Sequence, residues 1–250
     1  MNGLLQPDLV EIAGGVFRMG DIWGDGEPDE LPVHEVSLAP FLLGKHTVTN
    51  REFLGFLDEI KSPGDADGAA FIDIRNKNNP IVLDEDGFAC KSGYENHPVT
   101  YVNWLGARAY CDWLSRKTGL AIRLPREAEW QYAAMGPDRL KWSLGDSFNR
   151  DDYISGQDGP EPVDSGRPSA LGLFNVTGNV FEWCEDEYGF RLAAEDENDI
   201  LRRNRVIKGG AFILRDSANF RNAKRFSCDQ RSCLFSIGFR VAASDGSTSR

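Results

Sequence analysis

Apolar residues in this chain fall in short, separated clusters, and their spacing changes from one cluster to the next. Leu9–Met19 carries apolar positions on either side of Gly14-Gly15, a dipeptide that permits a tight turn, which predicts a two-stranded hairpin. Val33–Leu43 predicts a further strand region, with Val36 and Leu38 alternating against polar neighbours. The period then becomes helical. Thr49-Asn50-Arg51-Glu52 has the form of a capping box, and Phe53, Phe56 and Leu57 follow at helical spacing, which predicts a helix from Asn50 to about Lys61. Ser62–Cys90 is polar and rich in Gly, Asp and Asn, the pattern of a long surface excursion. A second helix is expected from an N-cap at Asn103 to just before Gly119, burying Leu105, Ala109, Tyr110, Trp113 and Leu114. Pro125 suits the first position of a third, short helix through Glu129 and Trp130 to Ala134. Beyond it the pattern supports mainly turns and short strands, with Asp186–Asn204 a charged loop.

Composition acts mostly by exclusion. The 250 residues carry 28 Lys+Arg against 39 Asp+Glu, a net charge of −11, which argues against a nucleic-acid footprint. No apolar run is long enough to span a membrane, and Met1–Gly15 lacks the basic start and apolar centre of a signal peptide. The compartment stays open: the cell surface if an export signal has been removed, the cytoplasm otherwise. Cys90, Cys111, Cys184, Cys228 and Cys233 are odd in number and show neither a disulfide framework nor zinc-ligand spacing. No tandem repeat or low-complexity linker interrupts the chain, so one domain over residues 1–250 is expected. His34, His46 and His97 are widely separated and read as structural or exposed, and Ser217 has no local triad partner. The acidic clusters Asp25–Glu30 and Glu185–Glu195 read as solvated surface.

Several short motifs occur in order. Near the start are Gly15-Val16-Phe17-Arg18-Met19-Gly20, Pro32-Val33-His34 and Val48-Thr49-Asn50. His97-Pro98-Val99, Ala109-Tyr110-Cys111-Asp112-Trp113 and Arg123-Leu124-Pro125-Arg126-Glu127-Ala128-Glu129-Trp130 follow. The series closes with Gly172-Leu173-Phe174-Asn175, Gly178-Asn179-Val180-Phe181-Glu182-Trp183, Lys208-Gly209-Gly210 and Gly238-Phe239-Arg240. This order resembles the formylglycine-generating-enzyme (sulfatase-modifying factor) domain family across nearly the whole chain. The resemblance implies an α+β fold of the C-type-lectin type with little regular secondary structure. It also implies a copper oxidase branch whose two active cysteines have four residues between them, shortly after the Gly-Gly pair. The matching positions here hold Leu214 and Asn219, which supply no thiolate, so no catalytic residue and no catalytic cofactor are expected. Cys228 and Cys233 share that spacing but lie downstream, in a register pinned by Gly209-Gly210 and Gly238-Phe239-Arg240. Asn175, Gly178, Val180 and Glu182 match the family's calcium loop, which implies a structural calcium ion. A second calcium site would fall near Asp152-Tyr153, where the following loop is shortened.

Phe212–Ser236 follows neither a helical nor a strand period. Arg221, Ala223, Arg225 and Arg231 recur through it as a framework. This arrangement resembles the variable region of diversity-generating retroelement proteins, which use a lectin-type body as a rigid platform and diversify one face. Residues 205–242 would form that region. The resemblance implies that diversified Asn codons never yield Lys, Glu, Gln, Met or Trp. None of these occurs at the candidate ligand-binding positions Ile213, Leu214, Arg215, Asp216, Ser217, Asn219, Phe220, Asn222, Phe226, Ser227, Cys228, Asp229, Ser232, Cys233, Leu234, Phe235 and Ser236. The expected function is therefore ligand binding, receptor- or adhesin-like, with a protein surface favoured over a carbohydrate. The alternative is a family enzyme acting on cysteine, such as a copper oxidase. A structural reading stays open beside both: Phe220, Phe226, Leu234 and Phe235 as core, Arg221, Arg225 and Arg231 as buried donors, and the cysteines as small hydrophobes.

Overall fold

In the computed structural model, which describes residues 6–189 and 203–244, helix α1 spans Asn50–Ile60. Its capping box forms as expected: the Glu52 amide donates to Thr49 Oγ1 while the Glu52 carboxylate accepts from the Thr49 amide. The helix buries Phe53, Phe56 and Leu57 and ends at Lys61, which takes a left-handed conformation (φ 53°). Helix α2, Trp104–Thr118, is capped by Asn103, whose side chain accepts from the Gly106 amide, and it stops at left-handed Gly119 (φ 75°). Helix α3, Glu127–Met135, begins later than Pro125 suggests, with Arg126 as its N-cap. Glu129 accounts for the shift: it accepts from the Arg126 amide and holds the Arg123 guanidinium through both oxygens.

The first strands overturn the local hairpin. Strand β1 (Leu9–Ile12) and strand β2 (Gly15–Met19) pair with different partners. Strand β3 (His34–Leu38) pairs with β2, and β4 (Phe41–Gly44) pairs with β1, both antiparallel. Gly14 serves a close crossing rather than a hairpin, since a Cβ there would stand 2.5 Å from the Leu38 carbonyl oxygen. Val33–Leu43 accordingly breaks at Ala39-Pro40 into strands of separate sheets. Ser62–Cys90 is also more than a surface excursion. It carries a hairpin of β5 (Ile81–Asp84) and β6 (Gly87–Cys90) and sends Phe71, Ile72 and Ile81 into the core.

With β7 (Ile122–Arg123) and β12 (Ala242–Ser244), one four-stranded sheet runs β1-β4-β12-β7. The other runs β10-β9-β8-β11, formed by β8 (Phe181–Glu187), β9 (Asn204–Lys208), β10 (Phe226–Asp229) and β11 (Ile237–Gly238). All pairs in it are antiparallel except β8 with β11. The main core lies between α1, α2 and these sheets, where Phe53, Tyr110, Trp113, Trp183, Ile207 and Phe239 meet. Phe190–Arg202, and with it most of the Asp186–Asn204 loop and part of the Glu185–Glu195 cluster, lies outside the described residues.

Charge is buried in pairs that tie the C-terminal segment to the body. Arg221 holds Glu30 through two hydrogen bonds of 2.7 and 2.8 Å, and Arg225 holds Glu127 at 2.6 and 3.0 Å. Arg240 holds Glu182 through two bonds of 2.6 Å. Glu30 is thus interior, which corrects its place in a solvated acidic cluster: an arginine reaches it from across the fold. Arg221 and Arg225 are buried framework residues, whereas Arg231 is exposed.

Candidate functional site

The segment from Gly209 to Ser236 is held by backbone contacts and buried polar groups. Gly210 turns with φ 74°, and a Cβ on it would come within 2.6 Å of the Phe220 ring. Ser217–Phe220 forms a short 3-10 turn, capped by Asp216, whose side chain accepts from the Ala218 amide. Strand β10 then pairs with β9. The following loop is latched at three points: the Trp104 amide donates to the Gln230 carbonyl, the Tyr101 amide to that of Leu234, and the Phe181 amide to that of Ser236. An irregular sequence is thereby given a defined path by partners at the start of α2, just before it, and on β8.

Side chains divide along that path. Ile213, Leu234 and Phe235 are 40%, 43% and 45% exposed, high values for apolar residues. Arg215, Asp216 and Ser227 are exposed polar residues of the same segment, while Leu214, Ser217, Asn219, Cys228, Asp229, Ser232 and Cys233 are half-buried. Three expected display positions face inward instead. Phe220 stacks on Phe148 with ring centroids 5.3 Å apart, in a cluster with Trp142 and Tyr153. Asn222 is fully buried and donates to the carbonyls of Ala134 and Leu140. Ser236 is buried beside the start of β11. Phe226 is half-buried, with its ring 5.0 Å from that of Phe181, and belongs as much to the core as to the surface.

A cavity of about 480 Å³ opens beside Phe235, walled by Tyr94, His97, Tyr101, Asp158 and Phe212. Apart from His97, none of these wall residues was singled out from the sequence, because they come from three distant stretches. The one local sign was the His97-Pro98-Val99 motif, which sets the path of one wall. A second space, of about 730 Å³, is lined by Asp65, Asp73, Arg75, Arg231 and Cys233 among others.

Thiol chemistry finds little support. Burial pushes the Cys228 thiol up and raises that of Cys233 to about 11. Cys111 and Cys184 are wholly buried, and burial likewise raises both. Leu214 packs beside the cluster of Trp142, Tyr153 and Phe220. Leu214 and Asn219 offer no soft ligand, so the copper centre of the oxidase branch does not fit these residues. Among the described residues no group of three or more His, Cys, Asp and Glu is arranged to hold a metal ion. His46 lies tilted against Phe174 at 4.8 Å, and burial lowers the basicity of both His46 and His97.

The calcium-loop residues need a correction at Glu182. Asn175 and Gly178 take left-handed conformations (φ 51° and 89°), and the Asn175 amide group donates to the Val163 carbonyl. Glu182 is fully buried, and Arg240 engages both of its oxygens while Trp130 Nε1 donates to one at 2.8 Å. Its carboxylate is a counter-ion for arginine. In the set of Asn175, Gly178, Val180 and Glu182 the one carboxylate is thus already engaged by Arg240 and Trp130, which leaves mainly neutral oxygens for a hard cation.

Residues 3–245 match the sulfatase-modifying factor enzyme 1-like domain. The chain belongs to this family. Its fold is the family's α+β, C-type-lectin-like fold. Among sulfatase-modifying-factor relatives, a formylglycine-generating enzyme of Streptomyces coelicolor is 32% identical over 286 residues, covering 93% of this chain and 88% of that one. An inactive C-alpha-formylglycine-generating enzyme 2 of Bos taurus is 30% identical over 282 residues, covering 96% and 89%. The serine/threonine-protein kinase Pkn1 of Chlamydia trachomatis is 37% identical over 247 residues, covering 95% of this chain, which spans only 38% of that relative's length. Among solved structures, PvdO from Pseudomonas aeruginosa superimposes with a TM-score of 0.75 at 24% identity, covering 96% of this chain and 95% of that one. Treponema denticola variable protein 1 gives 0.70 at 22%, covering 95% of each. At these identities the structural likeness is one of fold.

Proposed function

We propose that this chain is a ligand-binding member of the sulfatase-modifying-factor family that engages a protein partner through the face carrying Ile213, Leu234 and Phe235. The observation behind this reading is the exposure of three large apolar side chains on a backbone latched to α2 and β8. Exposed apolar side chains and exposed polar residues such as Arg215, Asp216 and Ser227 in the same segment supply both kinds of contact that an interface uses. A backbone already ordered adds little entropy cost on binding. The raised thiols and the Leu214 and Asn219 positions weigh against cysteine oxidation. An inactive relative covering most of this chain is consistent with a non-catalytic role.

Diversification by a retroelement is carried in a reduced form, confined to the exposed and half-buried positions and leaving out Phe220, Asn222 and Ser236. A near-identical repeat differing at adenines beside a reverse-transcriptase gene is its expected genomic signature. The binding reading is tested by Ile213→Ser, Leu234→Ser and Phe235→Ser in one variant, with a photoreactive residue at Arg215. The unaltered face is expected to crosslink one defined partner and the variant none, with a melting temperature changed by less than about 3 °C. Turnover of a cysteine peptide by copper-loaded protein would overturn the reading.

A further inference from the structure

We propose that the cavity beside Phe235 is a subsite for a cationic side chain, lysine or arginine, presented by the partner. This deepens the binding-face reading and rests on it. Aromatic rings line the space. Tyr94 and His97 lie with ring centroids 5.0 Å apart, and Phe212 and Phe235 meet edge to face at 5.9 Å. Tyr101, held in a left-handed conformation (φ 57°), also contributes to the wall. Aromatic faces carry negative quadrupole charge and attract ammonium and guanidinium groups, the more so when water is thinned out around them.

The formal charge in the cavity lining is negative, and the cations nearest its rim in the chain, Lys77 and Lys91, lie outside the lining. Asp158 supplies the formal charge in the lining, with no lysine or arginine beside it. Glu95 and Glu161 lie close enough to act electrostatically on the His97 ring. That ring is held neutral at ordinary pH by its burial, so it does not repel a cation. Asn76 and Asn78 bring further polar groups to the rim. A volume of about 480 Å³ accommodates a long side chain together with water. The net charge of −11 adds a general attraction for cations at low salt.

The test uses small probes on the whole protein: n-butylguanidinium and n-butylammonium, with pentanamide as the neutral and pentanoate as the anionic counterpart. Amide NMR shifts across Tyr94–Tyr101, Asp158 and Phe212–Phe235 report occupancy. Both cations are expected to shift these resonances saturably, with the neutral and anionic probes at least about tenfold weaker. Asp158→Asn, at an exposed position, is expected to weaken the cations about fivefold without disturbing resonances elsewhere, and Phe235→Ala to weaken them comparably. Equal binding of pentanamide and the cations, or an unchanged affinity in Asp158→Asn, overturns the subsite. The two readings fail separately. Cation binding to the unaltered protein, together with partner capture that persists in the triple serine variant, refutes the binding face, whereas silent cation probes with partner capture lost in that variant refute the subsite alone.

Discussion

Arg240→Met should be among the more destabilising single substitutions in the molecule, and the size of the loss can be worked from its contacts. The guanidinium is fully buried and donates to both Glu182 oxygens at 2.6 Å, to the Gly44 carbonyl at 2.9 Å and to the Phe174 carbonyl at 3.0 Å. Methionine fills similar volume but leaves the Glu182 carboxylate with Trp130 as its remaining donor. Stranding one member of a buried pair costs about 3–5 kcal/mol, and the loss of a donor at two buried carbonyls pushes the figure to the upper end of that range. For a chain of this size that is a fall in melting temperature of about 6–20 °C. Adding Glu182→Gln removes the uncompensated charge, so the double variant should recover about 2 kcal/mol rather than lose more. The effect also has a direction. Glu182 pairs in register with Gly238, and the neighbouring Phe181 amide holds the Ser236 carbonyl. Hydrogen exchange at Phe181 and Tyr101 should therefore accelerate in Arg240→Met, reporting a loosened binding loop. Calorimetry and urea unfolding measure the stability, and exchange measures the loosening. A cost below about 1 kcal/mol, or additive losses in the double variant, would refute the argument that this pair carries the region.

Asn222→Ala is expected to cost about 2–4 kcal/mol, because the Ala134 and Leu140 carbonyls both lose their side-chain donor, whereas Ser227→Ala should stay within about 0.5 kcal/mol. Urea denaturation of the two variants distinguishes a buried framework position from a displayed one, and similar costs would erase the distinction. Removal of calcium with EGTA is expected to leave the melting temperature within about 1 °C, since Glu182 is already neutralised by Arg240. A clear fall on chelation, reversed by added calcium, would return Glu182 to a cation shell.

Short-range chemistry explains what was legible in the linear chain. The Thr49/Glu52 box, the Asn103 cap and the Gly119 stop depend on residues within a turn of each other, and α1 and α2 begin and end where they indicate. The ordered motifs carried the family and its fold, and the substitution of Leu214 and Asn219 at the cysteine positions needed only a register. Strand partnership was another matter. Gly14-Gly15 looks locally like a hairpin turn, yet β1 and β2 join separate sheets, because pairing is decided by segments about 15–35 residues away along the chain. Nor does an aperiodic stretch reveal its own facing. Phe220 and Phe235 are the same residue type in the same segment, and one stacks inside on Phe148 while the other stands at a cavity mouth. Glu30 and Arg221 show the same limit for charge, since a carboxylate in an acidic run becomes interior only when a guanidinium arrives from the far end of the chain. Sequence alone determined the helices, the family and the missing thiols, because each rests on neighbours or on ordered motifs. Tertiary structure alone decided which side chains meet solvent and where the cavity lies, because burial and electrostatic pairing depend on distances that the linear order does not contain.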